Sequence, residues 1–169
     1  MNDSSDELVD VVDDDDRVIA TVSRAEMRAR RLRHRAVSIV VIGHDGRLLI
    51  HRRADTKDIW PGMWDIAAGG VVAAGESYEL AAVRELAEEL GVVGAVLEPL
   101  GDGRFDDESV MLTSRCFRTV DDGPFHFVDD EITEVQWVTL AELSVLLDER
   151  CFVPDSIAVL LPLLMQRSD

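Results

Sequence analysis

The chain has 169 residues, with 34 Asp and Glu against 17 Lys and Arg, giving a formal net charge of -17 at pH 7. At 47% hydrophobic and 30% charged it has the composition of a folded domain with a sizeable core. The acidic excess excludes binders of nucleic-acid backbones and anionic membranes, which need clustered cations, but leaves open a small phosphorylated substrate reached through bound divalent cations.

Residues 1–7 are acidic and polar, unlike a secretory signal, and are read as disordered. The β-prone runs 8–12 and 18–22 flank four aspartates, 13–16, which suggests a hairpin with an acidic, solvated turn. A metal-binding patch is the sharper alternative there, but adjacent Asp side chains splay and repel. Ser23-Arg24-Ala25-Glu26 fits a capping box that opens a basic helix to about Arg33, so 8–35 read as an N-terminal hairpin and helix. Residues 36–42 are nearly all apolar, as in a buried strand, and 47–53 read as its hairpin partner across His44-Asp45-Gly46. A polar loop (54–61) precedes a short strand, 64–69, ending in a Gly-Gly corner. Residues 77–90 form a strong helix closed by Gly91. Strands are predicted over 92–100, 110–120 and 134–138, and Thr139-Leu140-Ala141-Glu142 caps a helix to about Leu147. A last apolar helix spans about 154–167, by default core, otherwise a homodimer surface. This order predicts a single domain, 1–169, with a mixed sheet layered by helices. No apolar run reaches the roughly 18 residues of a membrane span. Cys116 and Cys151 have neither zinc nor disulfide-framework spacing, which fits reduced thiols in a cytoplasmic protein.

The chemistry concentrates in 70–92. Glu85, Glu88 and Glu89 stand at i, i+3 and i+4, so three carboxylates share a helix face. Each like-charge pair at that spacing costs about 0.2–0.5 kcal/mol, which a cation would offset. Hard oxygen donors suit Mg2+ or Mn2+. Leu80, Val83, Leu86, Ala87 and Leu90 are the expected sheet-facing side. Arg84 can reach Glu88 at i+4 or back to Glu76, while Gly69, Gly70 and Gly75 allow a tight loop. A merely solvated charged face would show the same spacing.

Residues 70–92 resemble the Nudix box, G-x5-E-x7-R-E-U-x-E-E-x-G-U with U aliphatic, at every specified position. Pro61-Gly62-Met63-Trp64 and the late run Glu134-Val135-Gln136-Trp137-Val138 extend the likeness over about 37–147. The resemblance implies a Nudix fold of the α/β class, an α/β/α sandwich around a mixed β-sheet. It implies hydrolysis of a pyrophosphate linkage in a nucleoside-diphosphate-type or other small-molecule diphosphate. By position, Glu85, Glu88 and Glu89 would ligate Mg2+ or Mn2+ with the Gly70 carbonyl, Glu85 or Glu89 would be the base, and Glu76 and Arg84 would brace the box. A further carboxylate from a later loop would be Glu131, with Asp130 and Glu134 as rivals. Arg52 and Arg53 are candidates for phosphate contacts, and Trp60 and Trp64 for stacking on a base.

Two other readings compete. Leu32-Arg33-His34-Arg35-Ala36, Arg52-Arg53-Ala54 and Trp60 to Trp64 also look like isopentenyl-diphosphate isomerase, a Nudix-fold relative. That enzyme uses a Cys in the strand before the box, followed by a metal-binding His; counting from Trp64, this chain has Gly69 and Val71 at those positions. The resemblance therefore points to an isomerase-like subgroup of hydrolases, whose substrates need not be nucleotides. A non-catalytic nucleotide-binding module would be expected to lose box carboxylates, and all are present.

Overall fold

The structure is a computed structural model and describes residues 4–127 and 130–166. Two β-prone runs pair as expected: β1 (Leu8–Val12) and β2 (Val18–Ser23) form an antiparallel hairpin. Of the segment read as disordered, 1–3 lie outside the described residues and Ser4–Asp6 form a turn of 3-10 helix. The acidic turn is tied down rather than simply solvated. Asp13 Oδ1 accepts the Asp15 and Arg17 backbone N–H groups at 2.8 and 3.0 Å. Asp16, in the left-handed region at φ 60°, accepts Arg35 Nε at 2.7 Å and the Tyr78 hydroxyl at 3.0 Å.

Ser23 caps α1 (Arg24–Ala29) by accepting the Glu26 N–H at 3.2 Å. Glu26 does not close the box; it bonds Arg30 at 2.6 Å. The helix stops short of Arg33 because Arg31 turns to φ 50°.

The apolar run becomes β3 (His34–Ile42), followed by β4 (Leu48–Arg53), β5 (Trp64–Asp65) and β6 (Ala68–Val71). The expected hairpin of β3 and β4 holds at one pair, Ile42 with Leu48, and then splays. The expected strand 64–69 is likewise two pieces: β5 pairs with β4 and β6 with β3, so the chain crosses between branches at Ile66-Ala67. After α2 (Tyr78–Leu90) come β7 (Glu98–Asp106), β8 (Met111–Val120), β9 (Ile132–Val138), α3 (Leu140–Glu149), a π-helical stretch (Ser156–Leu160) and α4 (Leu161–Gln166). β3 runs parallel to β8 from His34–Leu112 to Ile42–Val120, while β4 is antiparallel to β9. The strand predicted over 92–100 starts at Glu98 instead; Gly91 and Gly94 both have positive φ and Val93 and Val96 are exposed, so the chain loops before it pairs.

Strand alternation separates two cores. Val37, Ile39, Val41 and Phe117 pack with Leu86 and Leu90 of α2. Val40, Leu48, Ile50 and Cys116 pack with Leu143 and Leu146 of α3 and with Leu160 and Leu164. The architecture is therefore an α/β/α sandwich around a mixed sheet. Full burial of one such Leu is worth about 1.5–3 kcal/mol. The last helix spends its leucines on this core, with Met165 left exposed. Thr139 and Glu142 form the reciprocal capping box that the sequence predicts.

Candidate active site

α2 begins at Ser77, whose hydroxyl accepts the Leu80 N–H, and ends at Gly91, whose φ of 68° lets its N–H return to Ala87. Its buried side differs from the expected one. Leu86 and Leu90 are buried as expected, but Leu80 and Val83 are 64% and 44% exposed, and Tyr78, Ala81, Ala82 and Glu85 complete the buried stripe. Glu85 thus lies within the buried stripe at 8% exposure, Glu89 is half-buried one turn on, and Glu88 points to solvent.

Arg84 joins helix to loop. Its Nε and Nη2 donate to the two Glu76 oxygens at 3.0 and 2.9 Å, and Nη2 also to the Val71 carbonyl at 3.1 Å. Nη1 donates to Glu85 at 2.7 Å and Glu88 at 3.1 Å. The Glu76 bonds, chiefly, hold Arg84 firmly protonated, with burial opposing and Glu85 adding. Burial works against the Glu76 charge, but Arg84 and the Ala73 N–H hold that carboxyl below its ordinary range. These bonds tie the loop carrying Glu76 to the helix carrying Arg84.

Gly70 lies against Glu85 so closely that a Cβ there would meet the carboxylate at 2.5 Å. At Gly69 a Cβ would meet the Val37 carbonyl oxygen at 2.1 Å, and its N–H donates to Glu89 at 3.1 Å. Burial raises the Glu85 pKa against the pull of Arg84. Burial, reinforced by Glu85, pushes the Glu89 carboxyl up to about 8.

As they stand, no three His, Cys, Asp or Glu side chains among the described residues converge closely enough to hold a metal ion. Glu85 and Glu88 are drawn onto Arg84, and Glu89 onto Gly69. The donor set nevertheless fits a hard divalent cation. It is made of carboxylates, two of them sunk beside each other at an energetic cost that such a cation would remove.

The splay of β3 and β4 opens a cleft of about 110 Å³ before Glu89 and Gly70. Ala36, Val37 and Ser38 line it from β3, Arg53 from β4, and Asp65, Asp155 and Ser156 from its floor. Arg24, Arg28, Lys57 and Trp60 complete the wall. On the floor Asp65 accepts the Ser156 hydroxyl at 2.6 Å, and burial beside Asp65 pushes Asp155 up to about 7.

Arg53 reaches the cleft, with Nη2 on the Ile59 carbonyl at 3.0 Å. Arg52 does not line it; it bonds Asp55 at 2.9 Å and Thr133 at 3.3 Å. Trp60 lines the cleft with its ring edge-on to Phe105. Trp64 is buried in the core against α3, beneath the Arg150 guanidinium, and is not available to a base. Glu131 pairs with Lys57, while Asp130 and Glu134 are exposed. His34 lines the cleft, but its Nδ1 is bound to the Leu32 carbonyl and burial pushes its pKa down to about 4. Neither Cys116 nor Cys151 lines the cleft, so the thiol an isomerase would need is missing there. Asp65, Asp155, Ser156 and Lys57 carried no sequence pattern of their own. The one available signal was a carboxylate, Asp155, opening an otherwise apolar helix. No described helix is long and apolar enough to cross a membrane.

A family model described as NUDIX domain matches residues 32–157. The chain is 45% identical over 157 residues to the uncharacterized Nudix hydrolase YfcD of Salmonella typhi, covering 93% of this chain and 84% of that protein. It is 41% identical over 132 residues to an uncharacterized Nudix hydrolase of Pseudomonas aeruginosa, covering 78% of each. The crystal structure of DR0079 from Deinococcus radiodurans matches with a TM-score of 0.76 and 27% identity, over 88% of this chain and 94% of that one. The NUDIX domain of Shewanella oneidensis NrtR, solved with ADP ribose, shares the fold at a TM-score of 0.65 and 20% identity, over 88% and 100%.

Proposed function

The chain belongs to the NUDIX family and is a Nudix hydrolase, and from that premise we propose that it cleaves a pyrophosphate linkage in a small diphosphate compound with Mg2+ or Mn2+. The observation that carries this reading is the pairing of buried Glu85 and half-buried Glu89 with a cleft that Glu89 lines and Arg24, Arg28, Arg53 and Lys57 wall. In this reading the basic side chains would meet the phosphate oxygens, and the carboxylates would hold the metal and face the attacking water.

Glu85, Glu88, Glu89 and the Gly70 carbonyl are the groups that would hold the ion. When bound, it neutralises phosphoryl oxygens and makes water easier to deprotonate. The protein's own part is positional. Arg84 and Glu76 fix the loop to the helix, and Gly70 lets Glu85 approach the loop backbone. Burial favours the neutral form of Glu89 in the metal-free protein; beside a bound cation it would lose that proton, and the freed carboxylate is assigned as the base, with Glu85 as the alternative. Glu131 is assigned to orienting Lys57, with which it pairs, rather than to the metal. The reading covers nucleotides and other diphosphates alike; the polar floor at Asp65 and Ser156 suits either.

The test is a panel of nucleoside-diphosphate conjugates and non-nucleotide diphosphates, assayed for phosphate release with Mg2+ and Mn2+ separately. Metal-dependent turnover that falls at least a hundredfold in Glu89→Gln is expected. Conversion of isopentenyl diphosphate to its isomer, or binding without turnover in either metal, would overturn the proposal.

A further inference from the structure

The matched family region starts at residue 32, yet two of the cleft's cations come from α1, which ends before it. That helix is fixed to the box. Leu8 accepts the Ala74 N–H at 2.8 Å, Asp10 accepts the Gly75 N–H at 2.9 Å, and Met27 of α1 is buried against Val9 and Val71. The side chains of α1 are therefore held in register with the loop that precedes α2.

Arg28 is in an unfavourable position for a resting cation. Its Nε is buried and has no hydrogen-bond partner, and the carboxylate it pairs with, that of exposed Asp58, lies 3.7 Å away. Arg53, which lines the same cleft, also has a buried Nε without a partner. Burial lowers the Arg28 pKa; Asp58 opposes the shift, and Arg24 and Arg53 add to it. Arg24 has a partner in Glu7 at 3.1 Å, and its charge slightly offsets the burial of Glu85. Three guanidinium groups thus converge in a protein of net charge -17. Burying an under-bonded charge costs several kcal/mol unless an anion compensates. A phosphate would supply both the charge and the missing acceptors.

We propose that Arg24 and Arg28, on a helix ahead of the family domain, are substrate-binding residues that hold the phosphate oxygens of the diphosphate against the box. The proposal rests on the diphosphate-substrate reading above. Arg28 and Asp58 also line an outer recess with Ile59, Trp60 and Ser109, so a phosphate held by Arg28 would direct the rest of the molecule there.

Calorimetric titration of the full chain with inorganic pyrophosphate and Mg2+ tests this without requiring turnover. Arg28→Gln and Arg24→Gln should each weaken binding at least tenfold, with Arg28→Lys between them and wild type. Arg30→Gln, which alters an exposed pair with Glu26, should leave binding unchanged. In steady-state assays KM should rise while kcat holds. The Arg28→Gln melting temperature should stay level or rise, since an under-bonded charge is removed; a purely structural Arg28 would lower it. Should Arg28→Gln fail to fold, Arg24→Gln and Arg28→Lys carry the test. Unchanged pyrophosphate affinity in the variants, or no affinity in wild type, overturns the proposal. Pyrophosphate binding through α1 with no hydrolysis of any compound would sink only the hydrolytic reading, and hydrolysis indifferent to both arginines would sink only this one.

Discussion

Replacing Gly70 with alanine adds one methyl group where the Glu85 carboxylate already lies. The new Cβ would stand 2.5 Å from Oε1, 2.6 Å from Cδ and 2.8 Å from Oε2, against the 3.4 Å at which ordinary contact begins. Glu85 must therefore retreat by about 1 Å, and it cannot do so freely, because Arg84 holds it at 2.7 Å and the side chain is buried. A misplacement of about 1 Å at a reacting centre can cost about 100-fold in rate, and overpacking typically costs about 1–3 kcal/mol of stability. Phosphate-release kinetics and urea denaturation of Gly70→Ala should show both effects, the first much larger in proportion than the second. Gly75→Ala is the contrast: its Cβ would meet nothing within 4 Å, but φ is +75°, so a stability loss of about 1–2 kcal/mol is expected from backbone strain alone. Wild-type kcat/KM in a folded Gly70→Ala enzyme would refute the assignment of Glu85 to the reacting centre.

Arg84→Met should destabilise the protein by about 3 kcal/mol in urea, because Glu76 and Glu85 are left partly buried without their cation; a loss below about 1 kcal/mol would mean the brace is dispensable. In metal-free protein Glu89 binds its proton more tightly folded than unfolded. That contribution is fully present below its ordinary pKa of 4.5 and is lost as pH rises through about 8. Melting temperatures in chelator should therefore show Glu89→Gln gaining on wild type between pH 4.5 and 8.5, and parallel curves would contradict the burial argument. Thr139→Ala removes the capping box on α3 and should cost about 1 kcal/mol, with turnover unchanged.

The box was legible because its chemistry and its local geometry coincide within one loop and one helix. Gly91, Ser77 and the Arg84–Glu76 fork all follow from neighbours close in sequence. Pairing partners were harder to read. An apolar run announces that β3 is buried but not which strands flank it, and β4 leaves it after Ile42–Leu48 because β9 and β5 compete for its edges. The same limit applies to side-chain direction. Arg52 and Arg53 are adjacent and chemically alike, yet strand alternation sends only Arg53 into the cleft. Leu80 and Val83 misplaced the buried side of α2, since an apolar residue on the surface is common and carries little signal. Asp65, Asp155 and Lys57 meet only once distant segments are folded together, which no local spacing records.

The parallel pairing of β3 with β8 has a consequence in time. Ser38 and Ser114, 76 positions apart, bring their hydroxyls to 3.2 Å at the middle of the sheet. Loops of that length close slowly compared with a helix or hairpin. At roughly 5–20 residues per second of synthesis, about 4–15 s separates the emergence of the two strands. During that interval the acidic helix α2 already exists as a chain segment but has no complete sheet to lie on. The cleft, which takes Leu112, Val153, Asp155 and Ser156 from later segments, is therefore incomplete until they emerge, and a nascent chain halted before Met111 would carry every box residue without the lining they face.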